Sequence, residues 1–249
     1  MTEHFGTKFP QFYMTMPSPC PYLPGLQEKK VFTHLLSDDA LELNNTLTHA
    51  GFRRSQNIAY RPACDGCDAC ISVRVQAENF KPSRNFRKIL ARNADLTRTL
   101  TTPKATDEQF ALLRTYLDTR HPDGGMADMT QSDYQSMIED TTVDTTLIEY
   151  REPSTPQAPQ GRLIAAALSD TLHDGLSMVY SFFNPEAEAR SLGTFMVLDH
   201  IVQTQDLGLP YVYLGYWVEE CRKMAYKTRF RPVEALGHDG WQILETPDL

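Results

Sequence analysis

Leu163-Ile-Ala-Ala-Ala-Leu-Ser169 and Leu176-Ser-Met-Val-Tyr-Ser-Phe-Phe183, followed by Ser191-Leu-Gly-Thr-Phe-Met-Val-Leu-Asp-His-Ile-Val-Gln-Thr-Gln205 and Pro210-Tyr-Val-Tyr-Leu214, decide the fold of this 249-residue chain. The first two are apolar runs of strand length. The third is long enough and patterned enough for a helix, and the fourth is again a strand. Thr145 to Tyr150 adds a strand before them, and Glu152 to Gln160, with three prolines and no large apolar side chain, reads as an exposed loop inside one domain.

Working outward, Leu41, Leu47 and Ala50 fit one helical face that ends at Gly51. Ile71, Val73 and Val75 alternate with polar residues as a strand does. Ser83 can cap a basic helix to about Asn93, and Thr106 with Gln109 is a capping-box signal for a helix to about Thr119. Short helices are expected over 132–140 and 219–226, and closing strands over 229–236 and 241–244. The resulting order is strand, two helices, three strands, helix, strand, helix, two strands. It resembles that of the GCN5-related N-acetyltransferase (GNAT) fold, which predicts an α/β protein with a mixed sheet flanked by helices. The division expected is 1–100, a region with the cysteines and a basic segment, and 101–249, a GNAT-like domain whose sheet the strand 71–76 may join.

The formal net charge is −8, yet from Gly51 to Arg98 ten Lys/Arg stand against four acids, while from Ala105 to Gln160 eleven acids stand against three arginines. Such segregation points to one polyanion-facing side. Lys81, Arg84, Arg87, Lys88 and Arg92 are the candidates for it, the last four at helical intervals. The longest apolar run, Leu163 to Leu168, is far short of the roughly 18 residues of a spanning helix, so no membrane partner is expected. No apolar stretch after a basic start marks a secretory leader in Met1 to Pro19, so a cytoplasmic location is expected.

Cys64-Asp-Gly-Cys67-Asp-Ala-Cys70 spaces three soft ligands by two residues, and Cys20 sits between prolines that stiffen its backbone. Four thiolates would close a structural site, for which zinc and an iron–sulfur cluster are equally suited. Cys221 stands apart as a buried thiol. Arg190-Ser-Leu-Gly193-Thr-Phe195 opens the long helix, where backbone N–H groups make Ser191 and Gly193 candidates for holding a phosphate. The loop resembles the coenzyme A pyrophosphate loop of GNAT acetyltransferases, except that Phe195 stands at a small-residue position and is expected to crowd a pyrophosphate. No Ser-His-Asp elbow, phosphate-binding Walker loop or H-E-x-x-H motif is present.

Several segments together are similar to the arginyl-tRNA–protein transferase family. They are Gly51-Phe-Arg-Arg-Ser55, Tyr60-Arg-Pro-Ala-Cys64, Ile71-Ser-Val-Arg74, Phe80-Lys-Pro-Ser-Arg84-Asn-Phe-Arg87-Lys88, Tyr180-Ser-Phe-Phe-Asn184-Pro185 and Tyr213-Leu-Gly-Tyr216-Trp-Val-Glu-Glu-Cys-Arg-Lys223-Met-Ala-Tyr226-Lys227. The Cys20-Pro-Tyr-Leu-Pro-Gly25 opening resembles the bacterial, leucyl-transferring branch; Leu23 stands where the eukaryotic branch has a second cysteine. The resemblance implies transfer of leucine from leucyl-tRNA to the α-amino group of proteins with N-terminal Asp or Glu, marking them for N-degron proteolysis, with no DNA partner and no cofactor in the chemistry. An acyl-CoA-dependent N-acetyltransferase and a non-enzymatic RNA-binding module are the alternatives. His121, Tyr180, Tyr216 and Glu219 are the cleft candidates for catalysis. Arg74, mid-strand, is the first candidate for binding the acidic side chain, followed by Arg222 and Lys223.

Overall fold

The computed structural model describes residues 10–36, 38–122 and 124–245; residues 1–9, read above for a leader, lie outside them. The chain opens with β1 (Tyr13–Met14), β2 (Ser18–Pro19), β3 (Gln27–Glu28) and β4 (Lys30–His34), runs through α1 (Ala40–His49), and returns in β5 (Arg53–Ser55) and β6 (Ile58–Pro62). β2 pairs with β3, and the others form an antiparallel sheet in the order β1-β4-β6-β5. These strands are short and mixed in polarity, so no alternation announces them. The buried face of α1 is Ala40, Asn44, Leu47 and Thr48 rather than the one expected, and Leu41 is exposed. Gly51, at φ +86°, turns the chain out of that helix, as its missing side chain predicts.

β7 (Ile71–Gln76), α2 (Arg84–Arg92), β8 (Thr97–Thr101), α3 (Asp107–Arg120), α4 (Gln131–Glu139), β9 (Thr145–Arg151), β10 (Leu163–Leu172) and β11 (Gly175–Phe183) come next. α5 (Leu192–Asp206), β12 (Tyr211–Trp217), β13 (Val233–Gly237) and β14 (Gly240–Ile243) complete the chain. Ser83 caps α2 by accepting from Phe86 N, and Thr106 with Gln109 forms the expected box on α3. The eight strands β14-β13-β7-β12-β11-β10-β9-β8 make one mixed sheet, in which only β11 and β12 are parallel. This is the expected α/β architecture. β7 lies inside this sheet, bonded to β12 and β13, so both halves of the sequence build it. Phe86 and Ile89 of α2 and Met196, Val197 and Ile201 of α5 pack with Val73, Val75, Ile148, Ala165 and Val212. Leu113 and Leu117 of α3 and Tyr134 and Ile138 of α4 pack instead with Leu147, Ala166, Leu168 and Phe182. Helices therefore flank the sheet on both faces, because its central strands are apolar on both.

Two further expectations need correction. No α-helix forms over 219–226: Cys221 N bonds to Val218 O, Met224 N to Cys221 O and Lys227 N to Met224 O, and a 3₁₀ helix follows over Ala225–Arg229. The inward side chains Cys221, Met224 and Lys227 recur every third residue, which suits three-residue turns and not a 3.6-residue helix. The strand expected from 229 begins only at Val233, after Pro232, which has no N–H to give a ladder. β8, Thr-Arg-Thr-Leu-Thr, is an added edge strand that carries too little apolar pattern to be read.

Candidate active site

The parallel strands β11 and β12 pair only from Gly175–Ser177 to Tyr211–Tyr213 and then part. The register of β10 against β11 also shifts between Leu168 and Ser169, leaving Val179 as the extra residue. Backbone groups on both sides of this crevice are thereby freed from the ladder. Arg53, from the neighbouring small sheet, enters it: Nη2 donates to Met178 O, and Nη1 is 3.4 Å from Ser177 Oγ. Its guanidinium lies on Gly215, where a Cβ would come within 2.6 Å of Nε and 2.7 Å of Cζ; Gly215 also has φ +76°. That position therefore excludes other residues twice over.

Around this centre stand several phenols. Tyr216 is buried, and its hydroxyl lies 3.0 Å from Gly51 O and 3.1 Å from Tyr60 O. With one proton shared between two carbonyls it fastens β12 to the small sheet, and it is not free for a proton-transfer role. Lys227 is 8% exposed and donates Nζ to Tyr216 O. Burial, then the Arg53 charge, bring its pKa down to about 7. Tyr180, half-buried on β11, is held well above the usual phenol range by burial and by Tyr116. His121 closes α3, with Nε2 3.3 Å from Tyr116 Oη. Burial lowers its pKa, helped by Lys223 and Arg120, so it is neutral at neutral pH and able to accept a proton. The same Tyr116 perturbs Tyr226, which also feels Arg53, so His121, Tyr116, Tyr180 and Tyr226 belong to one neighbourhood. Glu219, Arg222 and Lys223 are exposed in the turns after β12, Lys223 near His121.

Arg74 does not stand free in a cleft. It is 4% exposed; Nε donates to Glu234 at 2.7 Å and Nη1 to Tyr213 Oη at 2.9 Å, with Tyr211 at 3.5 Å and Trp241 at 4.4 Å from Cζ to ring centre. Alternation does place it opposite Val73 and Val75, but β13 brings a carboxylate onto that face and neutralises it. Arg54 is closed in the same way, donating Nε and Nη2 to the two oxygens of Asp170, each at 2.6 Å.

Lys81, Arg84, Arg87, Lys88 and Arg92 are all exposed, and among the described residues none pairs with a carboxylate. Phe86 of α2 stacks on Phe230 at 5.1 Å, and Arg229 lies over the Phe86 ring at 5.9 Å. The basic helix thus abuts the segment that carries Lys227. Ser191, left-handed at φ 53°, and Gly193 line a cavity of about 280 Å³ with Arg120, Phe183 and Glu188. Phe195 does not crowd it: the side chain is buried against Tyr150, 5.5 Å between ring centres. Arg190, beside this cavity in sequence, gives both Nη groups to Asp95 at 2.8 and 2.9 Å.

The four cysteines gather in one region. Cys70, half-buried, has its pKa pushed up to about 11 by burial and then by Cys20, Cys64 and Cys67. Cys20 Sγ accepts from Leu23 N at 3.4 Å, and Cys64 Sγ lies 3.7 Å from Lys29 O. Among the described residues no three His, Cys, Asp or Glu side chains are arranged to hold a metal ion. The thiol donors suit zinc or an iron–sulfur cluster, but their arrangement does not fit one.

Residues 18–88 match the family model for the arginine-tRNA-protein transferase N terminus, and residues 108–237 match that for its C terminus. The chain belongs to the arginine-tRNA-protein transferase family. Relatives named aspartate/glutamate leucyltransferase are similar over nearly the whole chain: 64% identical in Parvibaculum lavamentivorans, over 97% of this chain and 98% of the relative. The figures for Afipia carboxidovorans are 60% over 97% and 95%, and for Nitrobacter hamburgensis 59% over 100% and 97%. Among solved structures, L-PGS from Bacillus licheniformis is 13% identical with a TM-score of 0.40, over 59% of this chain and 46% of that one. A GCN5-related glucosamine N-acetyltransferase region of a fungal multi-domain beta-N-acetylglucosaminidase is 12% identical with a TM-score of 0.41, over 91% and 24%. As a member of the transferase family the protein is an enzyme, and among its described residues no helix is long and apolar enough to cross a membrane.

Arg53 and Lys227 were legible only as parts of basic family segments. The available signal was Gly215 in the middle of an aromatic strand, which marks a close approach by another group.

Proposed function

We propose that this transferase moves leucine from leucyl-tRNA to the α-amino group of proteins with N-terminal Asp or Glu, feeding N-degron proteolysis in the cytoplasm. The observation that carries the reading is an exposed basic helix, free of carboxylate partners among the described residues, abutting a cationic crevice in a chain of net charge −8. The helix suits the tRNA backbone, and the crevice suits the reacting ends. The acceptor amine attacks the ester carbonyl, the bond to the tRNA ribose oxygen breaks, the amine loses a proton and the ribose hydroxyl regains one. An aminoacyl ester is already activated and an N-terminal amine titrates near pH 8, so orientation and oxyanion stabilisation suffice and no cofactor is needed.

Neutral His121 is our candidate proton acceptor, with Tyr116 and Tyr180 beside it; Lys223 and Arg222 at the mouth would meet the tRNA end, as would Ser191 and Gly193. The acetyltransferase alternative, which shares the order of elements, is addressed by acetyl-CoA in the test. The test is incubation with leucyl-tRNA or arginyl-tRNA and peptides starting with Asp, Glu, Lys or Ala, with acetyl-CoA in parallel. Leucylation confined to the Asp and Glu peptides is expected; acetylation, or transfer without regard to the first residue, would overturn the reading.

A further inference from the structure

We infer that the crevice between β11 and β12 recognises the side-chain carboxylate of the acceptor's first residue through Arg53, with Lys227 as a second cation behind it. The inference rests on the proposed function and assigns the selecting residue within it. Arg53 is half-buried, and among the described residues it meets no carboxylate: its partners are Met178 O, Val179 O and Ser177 Oγ, all neutral. Those bonds and the bare Cα of Gly215 fix the plane of the guanidinium while leaving Nε–H and one Nη1–H without a partner among the described residues, donors that a carboxylate oxygen can take up. Lys227, bonded to the carbonyl of the residue after Gly215, likewise has no carboxylate partner among the described residues. A buried cation is costly unless an anion joins it. Arg53, held by neutral acceptors without one, marks a place kept for a ligand's negative charge.

The same charges supply the rest of the selectivity. A Lys- or Arg-initiated chain would set a third cation against them, a repulsive element that excludes wrong acceptors. They also favour the neutral, nucleophilic form of the acceptor's α-amine over its ammonium. Arg54 and Arg74 cannot take this part, since Asp170 and Glu234 already occupy them.

Peptides beginning with Asp and with Asn, equal in shape and different in charge, separate this from an oxyanion role. Arg53→Gln should raise KM for the Asp peptide about 100-fold, the scale of truncating one partner of a close charge pair. Its kcat should change little, the Asp-over-Asn preference should collapse, and filter-binding of leucyl-tRNA should be unchanged. Arg53→Lys, which keeps the charge but not the fork, should retain part of the preference. A folded Arg53→Gln that still prefers Asp overturns the inference, as does a loss of kcat shared equally by both peptides. Should the variants not fold, phenylglyoxal labelling of the wild-type protein decides: the Asp peptide, and not the Asn peptide, should protect Arg53, and equal labelling overturns it. A wild-type protein that leucylates nothing sinks the proposed function alone, because the protection measurement needs no turnover.

Discussion

Arg53 and Arg54 are adjacent on one three-residue strand and live in opposite electrostatic worlds. Arg54, 6% exposed, meets both oxygens of Asp170, Thr145 Oγ1 and the carbonyl of Gln56, so every face of its charge is answered inside the protein. Arg53, pointing to the other side of the strand, meets only neutral acceptors among the described residues. The first arginine welds the small sheet to the large one. The second is left for a ligand. Burial alone does not tell a structural cation from a functional one; the presence of a counter-charge does.

Asp170→Ala is the harshest way to break the comparison, since it turns Arg54 into a buried cation without its anion. A loss of about 3–5 kcal/mol in urea unfolding is expected; a loss below about 1 kcal/mol would mean that the pair does not join the sheets. Lys227→Met probes the opposite case and should carry the opposite sign. The folded pKa of about 7 lies below the 10.5 of an unfolded lysine, so the unfolded state binds the proton more tightly. The wild type is thus penalised in full below pH 7 and recovers as the pH rises from about 7 towards 10.5. The variant should be the more stable protein at pH 6, by an amount on the order of a few kcal/mol, and the gap should close by pH 10 in paired denaturation curves. Parallel curves would show that Lys227 is not desolvated.

Arg84→Ala with Arg87→Ala tests cations answered by water alone. Stability should stay within about 0.5 kcal/mol, while the salt dependence of tRNA binding should flatten by about one unit of log–log slope per lost phosphate contact. An unchanged slope removes α2 from the nucleic-acid face. The smallest effect is expected at the cysteines: dialysis against a chelator should leave leucine transfer and Tm unaltered, and Cys20→Ser should cost less than about 1 kcal/mol, its sulfur accepting one weak bond. A large fall in Tm on chelation would mean that the four thiols close on an ion.

Much of the large sheet was legible because its information is local. The apolar runs at 145–150, 163–169 and 176–183 and the caps at Ser83 and Thr106 act through neighbours within a turn or a strand. The small sheet was not, because Lys30–His34 and Arg53–Ser55 are strands only by virtue of Ile58–Pro62 between them. For the candidate site, the exposed basic face of α2 followed from spacing. Arg74 was misplaced and Arg53 overlooked for one reason: the role of an arginine depends on which carboxylate folding brings to it. Asp170 lies 116 positions from Arg54, and Glu234 lies 160 from Arg74. The sequence by itself determined most elements of the large sheet, the family and the exposed basic face of α2, all written in short-range pattern. Only the tertiary structure decided which cations are neutralised and which remain open, because Coulomb interactions follow distance in space and not along the chain.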